Sequence, residues 1–344
     1  MLGICLFRVD GNSEIGSGHL IRCLNIAKQL KSYQIEFICV ENKNLDKIFQ
    51  SVPYKINTIK RTNNSWLGNT WEYDCNKTIE IIKDKIKENI ILIVDQYLID
   101  NQWETKIRPY IKKLIVIDDL HNRYHNCDIL LDQNVYFNNP YQELVPKNCK
   151  FLIGPKYGIL NKSFRNNKRI RNEIKRVYIF FGGSDQYNLT GKLLERIEGN
   201  FNNIIFDVVI GSLNKNYKNI LKKFNHNKNI IFYYSIPQNK IANIIYNSDL
   251  AIGSSGVSAY ERCISGLFSL VVTFADNQIS NAVNLDKLGV IEYVGKHSDE
   301  NIIKNLYLKL KEFMEKTVEK LKGLSDKCIK IIDGNGLNRI IKNI

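Results

Sequence analysis

Along this chain, short apolar runs alternate with stretches whose apolar residues recur every three or four positions. Runs at 2–7, 34–40, 90–95, 114–117 and 129–131 predict buried strands of a parallel sheet, because they are apolar throughout rather than alternating. The spacing of Leu20, Leu24, Ala27 and Leu30 predicts a helix after the first run. Similar periodicity marks 45–50 and 72–87 as helical, with a polar loop at 63–70 containing Trp66-Leu67-Gly68 between them.

After position 176 the pattern starts again. Runs at 177–181, 206–210, 230–234, 250–253 and 270–274 predict a second set of strands, and 189–197, 241–246 and 257–265 read as helices. The last part, 301–344, is mostly helical and is broken at Asp333-Gly334-Asn335-Gly336. At 344 residues the chain exceeds what one core usually supports. The expectation is an α/β protein of two Rossmann-like domains facing across a cleft. The first covers 1–160 and the second 175–325, with 326–344 as a C-terminal helix returning to the N-terminal domain.

Polar residues follow the carboxyl ends of three early strands: Asp95-Gln96-Tyr97, Asp118-Asp119 and Asp132-Gln133-Asn134. Ligands of open parallel sheets collect along that edge. Aspartate is also a common helix cap, and most of these aspartates are read as caps and loop residues.

Composition narrows the partners. The formal net charge is +14, but lysines are scattered among Asn and Ile along the whole chain. The tight basic cluster, 162–176, lacks the interleaved stacking aromatics of a nucleic-acid module, Phe164 standing alone, and reads as an inter-domain linker or solvated helix, so no nucleic-acid partner is expected. No apolar run approaches the roughly 20 residues of a membrane span. Without a leader pattern at its start, the chain is expected to be cytoplasmic. The 8 cysteines include no C-x-x-C pair and suit buried thiols in a reducing compartment. A monomer is expected. No acidic cluster has metal-ligand spacing, and Asp118-Asp119 is a poor one because strand neighbours point apart, so neither metal nor cofactor is expected.

Two turns hold the candidate chemistry. In the first, Gly16, Ser17 and Gly18 lead into a helix with His19 at the junction, and Arg8, Asp10 and Arg22 lie close in sequence. Glycines admit backbone amides to a ligand, and a helix N-terminus favours an anion. The plain alternative is a tight strand-to-helix turn with a solvated histidine. In the second half, Gly182-Gly183-Ser184 follows the first strand, and Gly253-Ser254-Ser255-Gly256 leads into Val257, Ser258 and Glu261. Small residues ahead of a helix suit a diphosphate, and Glu261 is placed to accept from ribose hydroxyls. Asn277-Gln278 follows the next strand.

Together these motifs resemble the nucleotide-sugar hydrolases of pseudaminic acid biosynthesis, which release UDP and the free sugar from UDP-2,4-diacetamido-2,4,6-trideoxy-β-L-altropyranose. The resemblance rests on Arg8-x-Asp10, Ile15 to His19 and Arg22-Cys23, and on Asp95-Gln96-Tyr97 and Phe181 to Asp185. Glu261-Arg262-Cys263 and Ala275 to Gln278 extend it in order. It implies a glycosyltransferase-B-like fold, a UDP-sugar substrate and a UDP product. His19 would be the general base, Tyr97 and Asn277 would position sugar or water, and Asp10 would orient the imidazole or bind a sugar hydroxyl. Substrate contacts would come from Arg8, Gly16, Ser17, Gly18, Arg22, Gly183, Ser184, Ser255, Gly256, Val257, Ser258, Glu261 and Gln278. The chain departs from the family pattern at Ser255 and Val257, where a glycine and a hydroxyl residue are usual. Val257 cannot donate to a phosphate, which shifts the expected diphosphate contacts to backbone amides and Ser258. The second half also resembles sugar-nucleotide glycosyltransferases, so transfer to an acceptor is the rival activity.

Overall fold

The computed structural model describes residues 3–11, 18–41, 53–63, 68–85, 89–165 and 168–344. The chain divides into two compact units, one of Met1–Ile159 with Gly336–Ile344 and one of Leu160–Asn335.

In chain order the first unit contains β1 (Ile4–Val9), α1 (Gly18–Ala27), β2 (Gln34–Val40), β3 (Lys55–Ile59), α2 (Trp71–Lys83) and β4 (Ile90–Asp95). Then come α3 (Asn101–Ile107), β5 (Lys113–Ile117), β6 (Ile129–Asp132) and β7 (Lys150–Ile153). The strands form one parallel sheet in the order β3-β2-β1-β4-β5-β6-β7. Alternation along β1 sorts the core into two layers. Cys5, Phe7 and Val9 pack with Leu20, Cys23 and Leu24 of α1, whereas Ile4 and Leu6 pack with Cys75, Ile79 and Trp103 from α2 and α3. Burial on both faces is why these strands read as continuous apolar runs, each large side chain contributing about 1.5–3 kcal/mol.

The second unit repeats the plan with β8 (Arg176–Phe180), α4 (Leu189–Ile197), β9 (Ile205–Ile210), α5 (Tyr217–Phe224), β10 (Ile230–Tyr234) and α6 (Gln238–Asn247). It continues with β11 (Leu250–Ser254), α7 (Val257–Ile264), β12 (Ser269–Thr273), α8 (Asn277–Lys287), β13 (Glu292–Lys296), α9 (Ile302–Met314) and α10 (Val318–Ile331). Its parallel sheet runs β10-β9-β8-β11-β12-β13. The last helix, α11 (Gly336–Ile341), sends Leu337 and Ile340 into the first unit's core beside Leu20 and Leu24. Its entry is close-packed: a Cβ on Gly336 would stand 2.2 Å from the Gly158 carbonyl oxygen.

In both sheets the strand order reverses beside the first strand, between β1 and β4 and between β8 and β11. Loops at the carboxyl ends of such a pair splay apart and leave room for a ligand.

Among its described residues the basic run has one short 3-10 turn, Lys162–Phe164, and is only partly solvated: Lys162, Lys168 and Lys175 are exposed, while its central arginines are not. Arg171 is buried and donates to the carbonyls of Ile245, Tyr246 and Ser248, capping the end of α6, while Arg169 pairs with Asp249. Burial, and then the neighbouring Arg169, pull the Arg171 guanidinium down to about 9. Among the described residues no helix is long and apolar enough to cross a membrane. The helix expected at 45–50, and Trp66 and Leu67 of the polar loop, lie outside the described residues.

Candidate active site

In the first unit, β1 and β4 run side by side with Val9 opposite Asp95, so Asp95 stands at the carboxyl end of the sheet beside the start of α1. His19 is the second residue of that helix, and its Nδ1 lies 2.6 Å from Asp95 Oδ1. Arg22, one turn on, grips the same carboxylate: Nε donates to Oδ2 at 2.5 Å and Nη2 to Oδ1 at 2.5 Å. Its Nη1 donates to Asp119 Oδ2 at 2.9 Å. The Tyr97 hydroxyl bonds Asp119, and its ring meets the imidazole edge-on, 4.7 Å between centroids.

Charge explains why this cluster holds together. Burial alone would push the Asp95 carboxyl up, but Arg22 and then His19 hold it well below the usual carboxylate range. Asp119 is likewise lowered, burial being outweighed by Arg22 and His19. An ionised Asp95 at 2.6 Å places a proton on Nδ1 and leaves Nε2 as the acceptor of the neutral ring. A histidine oriented by a buried carboxylate through one nitrogen presents the other as a base.

Other residues expected at this site sit differently. Arg8 is wholly buried, with Nε and Nη2 on Asp74 and Nη1 on Asp10 at 2.8 Å. Asp10 accepts from the Val40 amide at 2.8 Å and from Gln96 at 3.2 Å. The carboxylate that orients the imidazole is therefore Asp95, while Asp10 joins β1 to β2. Arg22, expected on the substrate, turns its guanidinium onto two carboxylates. Gly18 is exposed in the first turn of α1, and Gly16 and Ser17 lie outside the described residues.

In the second unit the β8 and β11 loops form the corresponding edge. Gly182 has φ +97 and Gly256 has φ +87, conformations that an L side chain rarely adopts. Gly183 backs onto Gly211, where a Cβ would come within 2.2 Å of the Gly183 carbonyl oxygen. Ser184 is half-buried beside them. The Ser255 hydroxyl is buried without a hydrogen-bond partner among the described residues. Ser258 donates back to the Ser254 and Ser255 carbonyls, each at 3.4 Å, and Val257 opens α7. From beneath, buried Arg262 donates to the Ser254 carbonyl at 2.7 Å and to Ser269. Glu261 is half-buried; burial pushes its carboxyl up to about 7, against the pull of Arg262. Half-buried Asn277 opens α8, and Gln278 accepts from the Phe274 amide at 3.0 Å, tying that helix to the end of β12. Among the described residues no group of three or more His, Cys, Asp and Glu is placed to hold a metal ion.

Two open parallel α/β units, each with its strand order reversing beside its first strand, define the glycosyltransferase-B class of fold. Acinetobacter baumannii MurG superposes with a TM-score of 0.65 at 12% identity, over 99% of each chain. A Neisseria meningitidis UDP-GlcNAc 2-epimerase bound to UDP-GlcNAc gives 0.60 at 14%, over 98% of this chain and 99% of that one. These likenesses show the fold.

The particular resemblance is borne out by sequence. The UDP-2,4-diacetamido-2,4,6-trideoxy-β-L-altropyranose hydrolase of Campylobacter jejuni is 28% identical over 84% of this chain and 98% of its own length. A Helicobacter pylori protein named as both a pseudaminic acid cytidylyltransferase and that hydrolase is 23% identical over 68% of this chain. An uncharacterized protein of Methanocaldococcus jannaschii is 29% identical over 75% of this chain. The chain spans 53% of the length of the archaeal relative and 44% of the Helicobacter one. No protein-family model matches the chain.

Proposed function

We propose that the protein hydrolyses a UDP-linked diacetamido-trideoxy sugar, UDP-2,4-diacetamido-2,4,6-trideoxy-β-L-altropyranose by its resemblance, releasing UDP and the free sugar. The observation that carries this reading is the His19–Asp95 pair, 2.6 Å apart at the carboxyl end of β4. Hydrolysis needs a base for water, and this histidine has one nitrogen engaged by a carboxylate and the other as acceptor. Nε2 takes a proton from water as the water oxygen attacks the anomeric carbon. The bond from that carbon to the diphosphate oxygen breaks, and UDP leaves with the electron pair.

The second unit supports the nucleotide. Backbone amides from Ser255 to Val257, at the N-terminus of α7, suit the diphosphate. Glu261 suits the ribose hydroxyls, since a half-buried carboxylate with no hydrogen-bond partner among the described residues gains by accepting from them. UDP is a good leaving group and this scheme routes no step through a metal, so dialysis against EDTA should leave turnover unchanged.

The test is incubation with a panel of UDP-deoxyamino sugars in oxygen-18 water without an acceptor. Release of UDP with label in the sugar is expected. Label in UDP would mean attack at phosphorus. Retention of intact substrate until an acceptor sugar is added would overturn hydrolysis in favour of glycosyl transfer.

A further inference from the structure

We infer that Arg22 is a positioning residue which, through Asp95, holds His19 in the tautomer and charge state that can accept a proton. The inference rests on the hydrolase reading for its consequence in turnover, though not for its geometry.

All three guanidinium nitrogens of Arg22 face carboxylates, two on Asp95 and one on Asp119, and the side chain is only 7% exposed. Three of its five N–H donors are thereby committed to the carboxylates. Its two parallel bonds to Asp95 fix the plane of that carboxylate. Oδ1 thereby stays on the Nδ1 side of the ring, and the Nδ1–H tautomer follows.

The charge effect is less obvious. A lone buried carboxylate this close to an imidazole favours the protonated ring and raises the pH at which the ring becomes free to act as a base. Arg22 opposes that in two ways. It neutralises Asp95, and its own Nη2 sits 3.0 Å from His19 Nδ1, so a second positive charge on the ring would face a guanidinium at contact distance. Among the described residues, the charged and titratable groups around the ring are Arg22 and Cys23 from α1, Asp95 and Tyr97 from the end of β4, and Asp119 from the end of β5. The Arg8, Asp10 and Asp74 group lies one step along, on β1 and α2. Asp95, Asp119 and Arg22 together present one net negative charge to His19; without Arg22 they present two.

The test reads the ring directly, by nitrogen-15 NMR of the His19 side chain in the ligand-free protein over a pH series, with His19→Asn to assign the signal. Wild type should show Nδ1 protonated and Nε2 bare once the ring is neutral. Arg22→Gln should move the titration midpoint to higher pH by about 1–3 units. The ascending limb of the pH–rate profile should move with it. Arg22→Lys keeps the charge but not the fork, so its midpoint should stay near wild type while turnover falls. Asp119→Asn removes a negative charge and should move the midpoint the other way, which serves if Arg22→Gln does not fold. An unmoved midpoint in Arg22→Gln, or in Asp119→Asn where that variant stands in for it, would overturn the inference, as would a wild-type ring protonated on Nε2. Because the NMR arm needs no substrate, the two readings fail separately. A moved midpoint with no UDP released from any sugar would retain Arg22's role and retire the hydrolase. Hydrolysis with an unmoved midpoint would do the reverse.

Discussion

His19 and Asp95 are 76 residues apart in sequence and 2.6 Å apart in space, joined because β1 and β4 are neighbours in the sheet. The carboxylate's part is to orient and charge-balance the ring. Asp95→Ala and His19→Ala should each lower turnover by about 10²–10⁴-fold, the usual worth of a positioned base. UDP affinity should hardly change, since the proposed nucleotide anchors lie in the second unit. His19→Asn should not restore the rate, because an amide cannot take water's proton. Steady-state kinetics with calorimetry for UDP checks this, and a parallel loss of affinity would make His19 a binding residue.

Glu261 should show a conflict between stability and binding. Its folded carboxyl is raised to about 7, so the folded state holds a proton that the unfolded chain has released. The resulting penalty is absent below the unfolded value, grows as pH rises toward 7 and is constant above. Glu261→Gln should therefore melt higher than wild type at pH 8 and about equally at pH 4. The same variant should bind UDP about 10–100-fold more weakly, from the loss of roughly 1.5–3 kcal/mol of charge-assisted hydrogen bonding. Thermal melts at both pH values and calorimetry test the two halves independently.

Asp132 carries a similar signature for a different reason. It is buried at the end of β6, and burial together with the charge of Asp119 raises it to about 7 despite hydrogen bonds from Tyr136 and Tyr141. Its penalty too should build from about pH 4 to pH 7. Asp132→Asn should flatten the decline of melting temperature over that range, leaving UDP affinity as it was.

The Arg8–Asp74 pair should behave as architecture. Asp74 also accepts from the Trp103 indole at 3.1 Å. Asp74→Ala strips Arg8 of its bidentate partner and should cost about 3–5 kcal/mol, whereas Arg8→Met with Asp74→Leu should recover most of that. Denaturant titration gives both numbers. Full stability in Asp74→Ala would contradict this account.

The sequence made the central strands and one edge, β10, plain and hid the other margins. The strands at 34–40, 90–95 and 230–234 are found at those bounds, and the helix at 189–197 likewise. Three strands had no apolar run to announce them, β3, β7 and β13, and each is a sheet edge. An edge strand is covered less completely, so Lys55-Ile56-Asn57-Thr58-Ile59 can afford polar residues that a central strand cannot. The candidate site was legible as motifs and not as partners. Asp95 stood out as a strand-end aspartate, but its pairing with His19 depends on β4 lying beside β1, which no local pattern states. Arg22 looked like a ligand contact because an arginine one turn along a helix from a histidine has two possible targets, and only the fold shows that carboxylates occupy them. Within the basic run Arg171 misled, because charge suggests solvent, whereas this arginine has helix-end carbonyls to receive its donors.

The placement of α11 bears on how the chain folds as it is made. Leu337 and Ile340 are 2% and 1% exposed within a core whose other members come from residues before 160. Emerging from the ribosome, the first 159 residues lack part of their own interior. The 176 residues of Leu160–Asn335 emerge with every strand of their sheet and can close first. The unit synthesised second is thus the first to be completed, and the one carrying His19 stays open until the final helix docks.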